Sequence, residues 1–118
     1  GGAGADDMGG GAGTDTATYN NSTSAITLVL SNTALNTGDA VGDNIRPDVE
    51  IIEGTNFNDF MQGNASNNNL WGGAGADTTD GGNDHDMIYG EGGNDILGGG
   101  AGIDRIWGGA DNDTLNGD

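Results

Sequence analysis

The sequence predicts an all-β solenoid in which short parallel strands stack coil upon coil, two nonapeptides to each coil. Three observations predict it. From Gly54 the chain divides into GTNFNDFMQ, GNASNNNLW, GGAGADTTD, GGNDHDMIY, GEGGNDILG, GGAGIDRIW and GGADNDTLN, consecutive nines without an insertion. Six of these seven units carry a carboxylate at the sixth place, and six carry a large aliphatic residue at the eighth. Only 32% of the 118 residues are hydrophobic and 5% aromatic, against 26 glycines, so an ordinary globular core is poorly supplied and a thin repetitive one takes its place.

The opening block, residues 1–18, holds two units, GGAGADDMG with Asp6 and Met8, and GGAGTDTAT with Asp15 and Ala17. It lies out of frame with the later block, because Gly10 and Gly54 are 44 residues apart, one short of five nines. Residues 19–53 reset the register and hold only Gly38 and Gly42 of the glycines. There SAITLVLSN alternates Ile26, Leu28 and Leu30 with Thr27 and Val29, the period of a half-buried strand, and DVEIIE is a second short strand. Between them TGDAVGDN is rich in turn formers. This insert reads as wider, better-filled coils that continue the solenoid. The main block is 54–118, with its seven nonapeptides ending at residue 116.

Within a nonapeptide, glycines of the first four places permit positive φ and close backbone approach. A very short strand follows, its eighth residue pointing inward and its seventh and ninth outward. Met61, Leu70, Thr79, Ile88, Leu97, Ile106 and Leu115 therefore face the interior, with Thr79 a small filler. Residues two units apart stack at the ~4.7–4.9 Å spacing of paired strands. One edge then aligns Asp59, Asp77, Asp95 and Asp113, and the other Asn68, Asp86 and Asp104.

Nineteen acids face two basic residues, Arg46 and Arg105, for a formal charge of -17. Such a chain repels itself unless it binds cations, and neither nucleic acid nor an anionic membrane suits it as a partner. No apolar run approaches the ~20 residues of a transmembrane helix. There is no cysteine, so no thiolate site exists. Stacked carboxylates in a partly dehydrated groove call for a hard divalent cation between successive turns. Calcium accepts six to eight oxygen ligands in flexible geometry, and glycine turns expose carbonyls to complete its shell. Magnesium demands stricter geometry, while zinc prefers nitrogen and sulfur, and the only imidazole is His85.

GGAGADTTD, GGAGIDRIW and GGAGADDMG resemble the nonapeptide GGxGxDxUx of the RTX (repeats-in-toxin) calcium-binding proteins, over residues 1–18 and 54–116. GDAVGDN and IIEGTNFND resemble the insert between such blocks in secreted bacterial proteins. The resemblance implies a right-handed parallel β-roll with calcium ions between stacked turns. It also implies type I secretion, folding on exposure to calcium, and a place outside the cell or at its surface. Metal ligation carries over to Asp6, Asp15, Asp59, Asn68, Asp77, Asp86, Asp95, Asp104 and Asp113. The turn glycines Gly72, Gly73, Gly75, Gly81, Gly90, Gly92, Gly99, Gly100, Gly102 and Gly108 complete the sites.

The departures from the motif matter. Asn68 offers a neutral oxygen, and Phe57 and Ser66 replace turn glycines, so the first two units after the insert are expected to hold little or no metal. Asp84 and Asp111, at fourth places, either add a ligand or face water. If every stacked pair in 54–116 is filled, about five calcium ions bring the charge to about -7, and residues 1–18 and 39–43 leave room for more.

No HExxH or GxSxG occurs, and a lone histidine forms no triad, so this chain is not expected to be an enzyme. His85, at a fifth place, is expected to be solvated. Trp71, Tyr89 and Trp107 fall at ninth places and form an outward aromatic column, either covering the roll's own edge or meeting a partner. That partner is a copy of the chain or a flanking part of a longer parent, since the sequence starts at Gly1 with no leader and reads as a piece cut from something longer. The expected role is a calcium-binding structural module of a secreted bacterial protein. The alternatives are a subunit of a filament, surface layer or adhesin, and a non-catalytic appendage of a secreted enzyme or toxin.

Overall fold

The nine-residue period becomes strand pairing at a spacing of two units. The computed structural model describes residues 2–117, leaving out Gly1 and Asp118, the outer bounds of the opening and main blocks. Its strands are β1 (Asp7–Met8), β2 (Thr16–Thr18), β3 (Thr27–Val29), β4 (Asn44–Ile45), β5 (Ile51–Glu53) and β6 (Phe60–Gln62). Then follow β7 (Asn69–Ala74), β8 (Thr78–Asn83), β9 (Met87–Gly92), β10 (Ile96–Ala101), β11 (Arg105–Ala110) and β12 (Thr114–Asn116). All pair in parallel, in the orders β12-β10-β8-β6-β3 and β11-β9-β7-β5-β2, with β1-β4 as a separate pair. The expected all-β parallel roll is therefore the fold.

In the main block the register is that of the repeat: Thr78 pairs with Ile96 and Ile96 with Thr114, while Asn69 pairs with Met87 and Met87 with Arg105. Strands β7 to β11 run six residues, longer than the repeat suggested. The ladder continues through the first three places of the next unit because the second place turns the corner at positive φ, as at Gly73 (106°) and Gly82 (106°). At the amino-terminal end the pairings are Asp7 with Asn44, Thr16 with Ile51 and Thr27 with Phe60. There β1, β2 and β3 lie beneath β4, β5 and β6, so a wide three-strand coil underlies the narrow two-strand coils.

Strands β7 to β10 each bury an eighth-place side chain and the first-place glycine after it, and Met61, Leu70, Thr79, Ile88 and Leu97 are all at most 2% exposed. Among the described residues β11 and β12 are the outermost strands of their sheets, and there Ile106 is half-buried and Leu115 exposed. The broad part of the core lies in the wide coil and its neighbour, where Tyr19, Ile26, Leu28, Ala40, Ile52, Met61 and Leu70 form one cluster, with Met8, Leu30 and Ile45 against it. Val29, expected to face outward, is buried. Two short 310 turns, Thr33–Leu35 and Gly38–Ala40, fold over that face of β3, and the Val29 amide donates to Asn36 Oδ1 at 2.8 Å.

Thr79 departs from the aliphatic pattern in one respect that matters: its hydroxyl is buried without a hydrogen-bond partner. Thr79→Val keeps the shape and removes the unsatisfied oxygen, so it is expected to raise stability by about 1 kcal/mol. Denaturant unfolding of the calcium-loaded protein checks this, and destabilisation would mean that the hydroxyl is satisfied.

Candidate metal centre

The sixth-place residues form a ladder of their own along each edge. The amide of Asp59 donates to Asp77 Oδ1 at 2.8 Å, that of Asp77 to Asp95 Oδ1 at 2.8 Å, and that of Asp95 to Asp113 Oδ1 at 3.1 Å. On the other edge Asn68 donates to Asp86 Oδ1 at 2.7 Å and Asp86 to Asp104 Oδ1 at 2.9 Å. One carboxylate oxygen is thus held by the coil before. The other, Oδ2, is buried without a hydrogen-bond partner in Asp77, Asp86, Asp95 and Asp104.

These orphan oxygens converge on the first-place glycines. A Cβ at Gly72 would lie 2.5 Å from Asp77 Oδ2 and 3.0 Å from the Gly90 carbonyl oxygen of the next coil. At Gly81 it would collide with Asp86 Oδ2 and stand 2.7 Å from the Gly99 carbonyl. Gly90 sits in the same way between Asp95 Oδ2 and the Gly108 carbonyl, while Gly99 lies against Asp104 and Gly108 against Asp113. Gly73, Gly75, Gly100 and Gly102 pack closely on the turn backbone of the preceding coil, whereas Gly92 faces open space and belongs to no such cradle. Among the described residues no three acidic or histidine side chains converge, so the carbonyls must supply much of any donor set. A buried anionic oxygen beside carbonyls, in a chain with no cysteine and its one imidazole exposed at His85, is an environment that fits calcium.

Asp77, Asp86 and Asp95 are each 1% exposed. With no cation present, burial pushes the Asp77 carboxyl up to about 7, and Asp59 and Asp95 nearby add to the rise. Burial also raises Asp86 and Asp95, helped by the neighbouring carboxylates. A carboxyl raised on folding holds a proton that the unfolded chain releases. The stability that Asp77 contributes to the metal-free roll is therefore full below the ordinary aspartate value of 3.8 and is lost as pH rises through about 7, with Asp86 and Asp95 acting in the same direction. Calcium competes with those protons, so its affinity falls on acidification across the same window. Circular dichroism in chelator at several pH values checks the first part, and β content rising with pH would contradict it.

Two sequence-expected ligands stand apart from this pattern. Asp59 Oδ1 accepts from the Ile26 amide at 2.8 Å and the Thr55 hydroxyl at 2.9 Å, and its Oδ2 accepts from the Thr55 amide at 2.6 Å. Asn68 Oδ1 accepts from the Asn64 amide at 2.9 Å. In the opening block the Asp6 amide donates to Asp43 Oδ1 at 2.8 Å and the Asp15 amide to Glu50 Oε2 at 2.9 Å, while Asp15 Oδ2 has no partner. Asp43 is fully buried and also accepts from the Tyr19 hydroxyl at 2.8 Å. Burial and that carboxylate push the Tyr19 phenol up.

Asp43 and Glu50 thus extend the sixth-place ladder into the insert; the sequence marks 39–43 as room for calcium, but both oxygens of Asp43 accept from within the chain, and the ladder role of Asp43 and Glu50 is not among its expectations. A signal was there: each acid stands two residues before a packed isoleucine, Ile45 and Ile52, the D-x-U spacing of the repeat. The fifth places make a second, exposed ladder in which the Ala76 amide donates to Asn58 Oδ1, His85 to Asn67 Oδ1 and Asn112 to Asn94 Oδ1. His85 is exposed, as expected, yet its Nδ1 accepts from the Ile103 amide at 2.9 Å. Asp84 and Asp111 are exposed at φ 70° and 80°. The aromatic column is a stack, with ring centroids 4.6 Å apart for Trp71 and Tyr89 and 4.5 Å for Tyr89 and Trp107.

The family model of the RTX calcium-binding nonapeptide repeat, in 4 copies, matches residues 1–17, 53–88 and 89–118, well over half of the chain. A search of curated proteins found no match.

Proposed function

Since this chain belongs to the RTX calcium-binding nonapeptide repeat family, we propose that it is a calcium-dependent structural module of a secreted bacterial protein. The observation that carries the reading is the buried, unpartnered Oδ2 of Asp77, Asp86 and Asp95, each at a first-place glycine. Asp77, Asp86, Asp95, Asp104 and Asp113 would hold the ions together with carbonyls of the adjoining turns. Calcium supplies the positive charge that lets a chain of formal charge -17 close into a roll. The chain's own part is to fix one oxygen of each aspartate on the coil before and to keep a glycine where any side chain would fill the space.

Extracellular calcium modules work at about 10⁻⁴–10⁻³ M, so calcium inside a cell leaves such a chain open and calcium outside closes it. The opening block 1–18, the insert 19–53 and the main block 54–118 act as parts of one roll.

Far-ultraviolet circular dichroism during a calcium titration, repeated with magnesium and with light scattering, tests this. A gain of β structure specific to calcium, with the scattering of a monomer, is the expected result. β structure indifferent to a chelator would overturn it, and scattering that grows with calcium would favour assembly.

A further inference from the structure

We infer that in the main block the calcium dependence begins at Gly72: residues 6–71, the turn 10–15 apart, form a base that closes without metal, and neither Asp59 nor Asn68 is a calcium ligand. The inference rests on the calcium reading of the coils above and goes beyond it by dividing the chain in two.

The division follows from the turns. From Gly72 onward the second and fourth places of each unit take positive φ, for instance Gly73 at 106°, Gly75 at 119°, Gly82 at 106° and Asp84 at 70°. There the second-place residue stays in the strand ladder, as the pairing of Gly73 with Glu91 shows, and the carboxylate Oδ2 below it is left unpartnered. In the two units before Gly72 those places hold Thr55, Phe57, Asn64 and Ser66. Among the described residues the non-glycines at positive φ are Asp84, Glu91 and Asp111, so none of these four adopts it. Their turns bend the other way, and the Thr55 and Asn64 amides reach back to Asp59 Oδ2 and Asn68 Oδ1. Gly54 and Gly63 face the same kind of oxygen pair, Asp59 Oδ2 with the Gly72 carbonyl and Asn68 Oδ1 with the Gly81 carbonyl, but here the side-chain oxygen already accepts a backbone amide.

The rest of the base is closed in the same manner. Asp43, fully buried, has one oxygen on the Asp6 amide and the other on the Tyr19 hydroxyl. The apolar cluster from Tyr19 to Leu70 gives this part the core that the narrow coils lack. The turn 10–15 is left out of the base because Asp15 Oδ2 has no partner and faces Gly10 and the Asp48 carbonyl, as the orphan oxygens of the upper coils face theirs.

Hydrogen exchange of the whole chain read by mass spectrometry, in chelator and in calcium, tests the division. The expected result in chelator is protection at β3, β5 and β6 with free exchange from β8 to β12, and protection throughout once calcium is added. Free exchange everywhere in chelator overturns the metal-free base while leaving the calcium module intact; protection everywhere in chelator overturns both. A second measurement counts bound calcium by titration calorimetry. Asp59→Asn should leave the count unchanged, and an ion lost would overturn the assignment. Thr55→Gly with Phe57→Gly restores the glycine turn and should gain about one ion over the parent chain; no gain would overturn the account of the turns.

Discussion

Gly81→Ala is expected to abolish one calcium site and to raise the calcium midpoint of folding about tenfold, although it removes no ligand. Gly81 does not have positive φ, so the effect is one of space alone. The new methyl would press on Asp86 Oδ2 and on the Gly99 carbonyl, the two oxygens that border the cradle. Overpacking of a tight site costs about 1–3 kcal/mol, and here it also denies the ion its place. Gly92→Ala provides the contrast, since a Cβ there meets nothing within 4 Å, and its midpoint should not move. Titrations followed by circular dichroism compare the two. Equal shifts would mean that the glycines are needed for backbone freedom rather than for the space beside the carboxylate.

Asp95→Ala should cost twice the calcium that Asp113→Ala does. Asp95 belongs to two stacked pairs: its Oδ1 holds the Asp77 amide at 2.8 Å, and its own amide reaches Asp113 Oδ1 at 3.1 Å. Its removal also strands the buried Asp77 amide, a loss of about 1–3 kcal/mol. Asp113, in the last described coil, has one such neighbour below it. Calorimetric ion counts on the two variants decide the matter, and the same count for both would contradict the stacked arrangement.

How far these sites were legible in the sequence depends on the turn. From Gly72 onward every turn has the same length, so the period alone places Asp77 under Asp95 and Ile88 under Ile106, as the pairing confirms. Inside the insert the turns differ in length, and successive pairings span 37, 35 and 33 residues, as in Asp6 with Asp43, Asp15 with Glu50 and Ile26 with Asp59. None is a multiple of nine, which hides the acidic ladder at Asp43 and Glu50 although each keeps its isoleucine two residues on. The self-capping of Asp59 was half visible: Phe57 and Ser66 flagged weak units, but a hydroxyl and an amide from Thr55 replacing an ion is a matter of φ, which composition does not display. Val29 was misplaced for a similar reason, since alternation describes one strand and cannot report a loop that returns to cover its outer face.

The aromatic stack shows what the pairing interval means for changes in length. Trp71, Tyr89 and Trp107 share one sheet because pairing joins residues eighteen apart. Excising one nonapeptide between Gly81 and Tyr89 would keep every inward aliphatic inward, yet it would transfer all later strands to the opposite sheet and bring Trp107 to rest over Asp80. Excising two would shorten the roll by one coil and keep every column matched. Insertions and deletions in such a chain are thus counted in even numbers of units, much as a coding frame tolerates only whole codons, and a lone nonapeptide more or less is a change of partner for every side chain beyond it.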